Sequence, residues 1–144
     1  GGEFEKRFLS IYPSELELKK ENNNYVDATF LDLHLHITEN KITTSLHDKR
    51  DEYSFDIVRF PYKCSTLPSK MFYSTISAEL LRINRVTSSF SSFLTSANTF
   101  IERMKKQGAA YEDIHRTIQK LLNSHKDEFC KFNIPNRSLC NMLL

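Results

Sequence analysis

Apolar and polar residues alternate over ATFLDLHLHITENKITTSLHD, and this alternation is the feature that most constrains the fold. Positions for one buried face recur at every second residue on both sides of Glu39-Asn40: Leu31, Leu33, Leu35 and Ile37, then Ile42, Thr44 and Leu46. A period of two is typical of a strand with one buried face. With Glu39-Asn40 as a two-residue loop, three pairs face each other: Ile37–Ile42, Leu35–Thr44 and Leu33–Leu46. We expect an antiparallel hairpin in a three-stranded meander that begins near Leu16 and Leu18 and that FDIVRF could extend.

The second half of the chain has the period of a helix. Three series recur at steps of three or four: Phe72, Ile76, Leu80 and Ile83; Phe90, Phe93, Leu94, Ala97, Phe100, Ile101 and Met104; Ile114, Ile118, Leu121 and Leu122. Ser69 is a candidate N-cap of the first helix. The second helix is expected to end at Lys105 and Lys106, with Gly108 just after it, and the third helix to begin near Ala110. We expect these helices to pack as a bundle.

These patterns predict an α+β fold in which a β meander precedes a three-helix bundle. Residues 1–10 are expected to be a vector remnant or a leader, and residues 11–67 the meander. Residues 68–126 would form the bundle. The stretch after His125 is apolar but broken by Pro135, so residues 127–144 are expected to form a C-terminal tail.

Composition excludes some classes of protein. The 144 residues are 40% hydrophobic and 26% charged, which is ordinary for a globular protein. No apolar run approaches the roughly 20 residues of a membrane span, and these residues contain no apolar h-region typical of a signal peptide. Three widely spaced cysteines fit a reducing compartment better than a disulfide framework. We therefore expect an intracellular protein, nuclear or cytoplasmic, with no membrane partner.

Three histidines on the hairpin raise the question of a metal site. Asp32, His34, His36 and His47 could meet on one face of the predicted hairpin, and His at i and i+2 of a strand can share a metal. Thr43 and Ser45 would lie on that face as well, as on an ordinary solvent-facing strand pair. We expect no metal, and keep these four residues as the minor alternative. No nucleotide-binding loop, metalloprotease motif or nucleophile elbow occurs, so no catalytic residue is assigned.

Positive charge is concentrated on the predicted helices. Residues 69–126 hold nine Lys and Arg against four Asp and Glu, whereas residues 1–68 hold nine against twelve. Such a surface suits an anionic backbone, although a solvated helical face has the same appearance. The candidate nucleic-acid contacts are Lys70, Arg82, Arg85, Arg103, Lys105, Lys106, Arg116 and Lys120.

The order of the motifs resembles the end of a retroelement reverse transcriptase, an RNA-directed DNA polymerase, most of all in the Penelope-like group. The resemblance covers roughly residues 11–125. Four places match the pattern. They are a strand at Phe30–Leu33, a second strand at Thr44–Lys49, an Arg-rich helix with Arg82 and Arg85, and a turn with Gly108 and Tyr111. Two places depart from the pattern. Phe60-Pro61 occupies the position where the family usually has His-Pro, and the usual Gly-Tyr pair is interrupted here by two alanines between Gly108 and Tyr111.

The resemblance implies a palm-end hairpin followed by a helical thumb. Phe30, Leu31 and Asp32 would belong to the primer-grip hairpin, and Arg82 and Arg85 to the first thumb helix. The Tyr-x-Asp-Asp turn that holds Mg²⁺ in such polymerases does not occur in this chain. The parent polymerase would use Mg²⁺, while this fragment would have no cofactor and no catalysis of its own.

The expected function is therefore binding of a primer–template duplex, RNA–DNA or DNA, together with the remainder of the polymerase. The alternative is a non-enzymatic protein-interaction module derived from such an element. Because an excised hairpin leaves strand edges uncovered, a homodimer is also possible.

Overall fold

A computed structural model describes residues 2–13, 15–17, 24–55 and 57–144, without the side chains of Glu5 and Asp51. Helix α1 (Gly2–Leu9) comes first, and three strands follow: β1 (Asp27–Phe30), β2 (Leu33–Thr38) and β3 (Lys41–Leu46). A 3₁₀ turn (Lys49–Glu52) leads to the helical part. The helices there are α2 (Ser69–Val86), α3 (Phe90–Lys106), α4 (Tyr111–Ser124), α5 (Lys126–Phe129) and α6 (Asn136–Met142). The predicted α+β fold is confirmed.

The strands form an antiparallel sheet in the order β1-β2-β3. The predicted register is confirmed at all three positions: Ile37 pairs with Ile42, Leu35 with Thr44 and Leu33 with Leu46. The first strand differs from the prediction. It is Asp27–Phe30, paired with β2 so that Phe30 faces Leu33, whereas Leu16 lies in no strand and Leu18 falls outside the described residues. Residues 57–60 of FDIVRF form no strand either.

The core lies between the helices rather than under the sheet. Every residue of the three helical series is buried except Phe90 and Leu94, which pack partly buried against the core. Pro68, not Ser69, precedes the first turn of α2, and no side chain caps that end. Ser69 is therefore the first helical residue, and its predicted capping role is wrong. Gly108 does adopt the positive φ of +94° expected after the end of α3.

Residues 127–144, expected to be a C-terminal tail, contribute side chains to the same core. Phe129, Leu139, Cys140 and Leu143 are buried, and the amide of Asn136 donates to the Leu122 carbonyl at 2.9 Å. Pro135 interrupts the helical periodicity, and the apolar residues on each side of it occupy separate short helices. The predicted three-helix bundle is thus completed by α5 and α6.

The sheet docks on the turn between α2 and α3 through the end of β3. Ser88 donates its backbone N–H to the Thr44 carbonyl at 2.9 Å, and its hydroxyl accepts from the Thr44 N–H at 2.8 Å. The Thr44 hydroxyl donates to the Val86 carbonyl at 2.7 Å, and Leu46 packs against the helical core. Because β3 is paired with β2, these contacts also position the turn between β1 and β2 relative to α2.

Candidate nucleic-acid interface

The turn between β1 and β2 consists of Leu31 and Asp32. Leu31 has a positive φ of 55°, in a two-residue hairpin position where glycine is usually preferred. A non-glycine residue in this conformation costs roughly 1 kcal/mol. The side chains of Phe30 and Leu31 nevertheless point outward, with 63% and 71% of their surface exposed. The end of β1 and the turn therefore present two large apolar groups to solvent.

Arg82 joins this turn to α2. Its guanidinium donates to Asp32 and also to Glu79, with Nε 3.0 Å from Oε2. Glu79 is 6% exposed, so its negative charge needs a partner. The hydrogen bond to Glu79, with its charge and that of Asp32, raises the pKa of Arg82 despite partial burial. The sequence resemblance put Asp32 and Arg82 in separate parts of a polymerase, and the fold places them in direct contact.

A cleft of about 560 Å³ opens beside this contact. We call it the junction cleft, and its charged and polar lining residues are Asp32, His47, Asp48, Lys49, Arg50, Arg59 and Arg82. Leu31 and Ile57 supply its apolar wall. Four cations therefore face two carboxylates in this cleft.

Asp48 connects the cleft to α3. Its carboxylate accepts from Arg50 Nε at 2.8 Å and from Arg103 at 2.7 Å. Burial opposes the charged form of Asp48, but the hydrogen bonds from Arg50 and Arg103 outweigh it and hold the pKa well below its ordinary value. Arg50 and Arg103 are thus largely committed to holding the segment after β3 against the bundle.

Lys49 and Arg59 are the cations of the cleft that remain accessible. Lys49 is exposed, and within the described part of the chain it has no ion pair. Arg59 has 48% of its side chain exposed and lies 3.8 Å from Glu79, a loose contact beside the Arg82 pair. Neither residue is among the predicted contacts, because both lie outside the predicted helices. The HDKR run after β3 is a signal for Lys49, and Arg59 follows in FDIVRF.

Five of the eight predicted contact residues have acidic partners. Arg82 and Arg103 are described above, and three more pairs lie on the helices: Arg85 with Glu128 at 2.7 Å, Lys105 with Glu102 at 2.7 Å, and Arg116 with Asp113 at 3.4 Å. Lys70, Lys106 and Lys120 are exposed and have no ion pair among the described residues. Arg85 and Arg116 are well exposed, and such surface pairs are weak enough for a phosphate to compete.

The side chains of the four residues in the minor metal alternative have different partners, although the backbone N–H of His47 donates to the Asp32 carbonyl at 2.9 Å. Asp32 contacts Arg82, and His47 Nε2 lies 3.1 Å from Glu52. His36 Nδ1 and His34 Nε2 instead lie 2.7 Å and 3.6 Å from Asp27. The hydrogen bond from His36 lowers the pKa of Asp27. Within the described ranges, no group of three or more His, Cys, Asp or Glu side chains is placed to hold a metal ion.

Comparison with known proteins gave no match to a family model, a curated protein or a solved structure. The described part of the chain also has no helix with the length and apolar character needed to cross a membrane.

Proposed function

We propose that the chain binds a primer–template duplex at the junction cleft, as the palm-end hairpin and thumb of an RNA-directed DNA polymerase. The observation that carries the proposal is the contact of Asp32, in the turn between β1 and β2, with Arg82 in one cationic cleft. The sequence resemblance assigned that turn to the primer grip and Arg82 to the thumb. Their meeting in one place supports a shared surface for a single ligand.

The chemistry of the cleft suits a nucleic-acid backbone. Lys49 and Arg59 can each neutralise a phosphate, which gives affinity that depends on salt and little on sequence. Leu31 lines the cleft with them, and Phe30, the residue before it, is also exposed. Both side chains can pack on the sugars or terminal base pair of a duplex end. An exposed Leu held at positive φ is explained by such a contact, because glycine would form the turn with less strain.

Catalysis is not part of this proposal. The Tyr-x-Asp-Asp motif is missing from the sequence, and no described cluster of carboxylates suits Mg²⁺. We therefore assign Mg²⁺ to no residue of this chain. Its part in polymerisation would be to hold the primer end while the remainder of the polymerase carries the metal ions.

The test is a titration of the full chain with three labelled probes of equal length at low salt: a blunt RNA–DNA hybrid, a DNA duplex and an uncharged peptide nucleic acid duplex. We expect both phosphate-bearing duplexes to bind and the hybrid to be favoured through its A-form shape. The uncharged duplex should not bind. Failure of the hybrid to bind at low salt would refute the proposed function.

A protein-interaction role is the second candidate, and the apolar face of the hairpin favours it. An exposed apolar group lies at the end of the sheet distant from Leu46 and consists of Val26, Ile37 and Ile42. A second copy of the chain could cover these side chains. Sedimentation of wild type against Ile42→Lys tests this role. A concentration-dependent dimer that the substitution abolishes, without any hybrid affinity, would favour it over the polymerase proposal.

A further inference from the structure

A second groove, of about 740 Å³, lies between the segment 53–62 and the outer face of α3. Three aromatic rings with about half or more of their surface exposed line it: Tyr53, Phe55 and Tyr62. Tyr53 and Phe55 stand next to each other, with ring centroids 5.4 Å apart. We call this feature the aromatic groove. Large rings exposed together in one concave site indicate a ligand with flat apolar faces.

The charges of the aromatic groove favour an anionic ligand. Arg50, Arg103 and Lys106 line it, against Glu102 as the acid among its described lining residues. Glu102 is held by Lys105 at 2.7 Å. Lys106 is exposed and has no ion pair in the described ranges, so its charge is available.

Two side-chain oxygens in the wall of the groove have no hydrogen-bond partner among the residues that the structure describes. They are Asn98 Oδ1 and Gln107 Oε1, both buried, and Gln107 as a whole is only 9% exposed. A buried acceptor without a partner is unfavourable and uncommon. A ligand with N–H groups would satisfy both oxygens after a small rotation of each amide.

We propose that the aromatic groove binds an unpaired, single-stranded stretch of nucleic acid. Tyr53, Phe55 and Tyr62 stack on bases, which all have a π-face. Lys106 contacts a phosphate, and the amide oxygens accept from base amino groups. The proposal deepens the proposed function and rests on it in one respect: Arg50 and Ile57 border both the groove and the junction cleft, so one strand can pass from duplex to single strand along this surface.

The direct test measures fluorescence anisotropy of the full chain with two labelled probes. One is an oligodeoxycytidine of about 12 nucleotides, within the usual range of such sites, and the other is an abasic strand of equal charge. We expect oligodeoxycytidine to bind at least about tenfold tighter, since stacking of even one base contributes that much. Equal affinity for the two probes would overturn the proposal, because phosphate attraction alone would then explain binding.

Variants locate the binding site. Tyr53→Ala and Phe55→Ala should each weaken oligodeoxycytidine binding about tenfold and leave the abasic strand unaffected. The matched control is Tyr111→Ala, which removes an equally exposed ring from α4 outside the groove. All three rings are on the surface, so an unchanged melting temperature is expected for each variant. Losses no larger for Tyr53 and Phe55 than for Tyr111 would contradict the assignment.

A second comparison separates this site from the junction cleft. Lys49→Ala with Arg59→Ala should weaken the blunt hybrid and spare oligodeoxycytidine, whereas Phe55→Ala should do the reverse. Binding of oligodeoxycytidine without any binding of the hybrid would refute the proposed function and leave the groove standing. If the hybrid binds but oligodeoxycytidine and the abasic strand bind equally well, the single-strand site in the aromatic groove is refuted and the proposed function stands.

Discussion

Arg82 on α2 and Asp32 in the hairpin turn are joined by a direct ion pair, although the sequence separates them by two strands and a loop. The same guanidinium neutralises Glu79, which the bundle buries. The Arg82 guanidinium is therefore engaged by two carboxylates of the fold, and its first role is structural. A test of nucleic-acid binding that removes Arg82 would also disturb the fold, so the accessible cations of the cleft are better choices.

Arg82→Ala should lower the free energy of unfolding by about 2 kcal/mol, because Glu79 stays buried without its main partner. The loss is smaller than for a fully buried pair since 26% of the Arg82 side chain is exposed. Arg85→Ala is the matched control, with a carboxylate partner in Glu128 but a side chain 64% exposed, and should cost less than about 1 kcal/mol. Urea denaturation measures both. Equal losses would contradict the role given to Arg82.

Leu31→Gly should separate stability from binding. Glycine accepts the positive φ at Leu31 without strain, so the free energy of unfolding should stay the same or rise by up to about 1 kcal/mol. Affinity for the blunt hybrid should nevertheless fall, because the exposed leucyl side chain no longer stands at the rim of the cleft. Thermal melting and anisotropy on the same preparation measure the two effects. A clear loss of stability would show that the turn does not strain Leu31, and unchanged affinity would remove it from the binding surface.

Acid should weaken the attachment of the segment after β3 to the helices. The folded-state pKa of Asp48 lies below the unfolded value of 3.8, so its carboxylate stabilises the fold above about pH 4 and that stabilisation is lost as the pH falls. The lowered pKa values of Asp113, Glu128 and Asp27 act in the same direction. Asp48→Asn should therefore be less stable than wild type at pH 7, and the difference should shrink towards pH 2. A difference independent of pH would contradict the ionic role.

The last helix should be part of the cooperative fold. Leu139→Ala removes a side chain with no exposed surface and should cost about 2–4 kcal/mol through lost burial and a cavity. Met142→Ala on the same helix removes an exposed side chain and should change stability by less than about 1 kcal/mol. Calorimetric melting compares the two. A small effect of Leu139→Ala would mean that α6 is not packed as the structure has it.

Periodicity predicted the elements whose partners are close in sequence. The β2–β3 register followed from the alternation around Glu39-Asn40, and the buried positions of α2, α3 and α4 followed from their helical spacing. The turn at Leu31 could not be predicted in the same way. Leucine carries no turn signal, and Leu31 continues the alternation of β2, so the sequence alone extends the strand through it.

The candidate site was only partly predictable for a related reason. Clustering of Lys and Arg identified a basic region, but charge counting does not show which cations already have partners. Asp48 contacts Arg103 and Glu128 contacts Arg85 across distant parts of the chain, and only tertiary structure brings such pairs together. Lys49 and Arg59 were overlooked because no regular element contains both of them.

The most direct test of the central proposal is the salt dependence of hybrid binding by wild type and by a Lys49→Ala, Arg59→Ala double variant. Lys41→Ala with Lys126→Ala, two exposed cations outside the cleft, removes the same charge as a control. We predict that the slope of log affinity against log salt falls by about 2 in the cleft variant, one for each phosphate that is no longer neutralised, and hardly changes in the control. Equal slopes for all three proteins would contradict binding at the junction cleft.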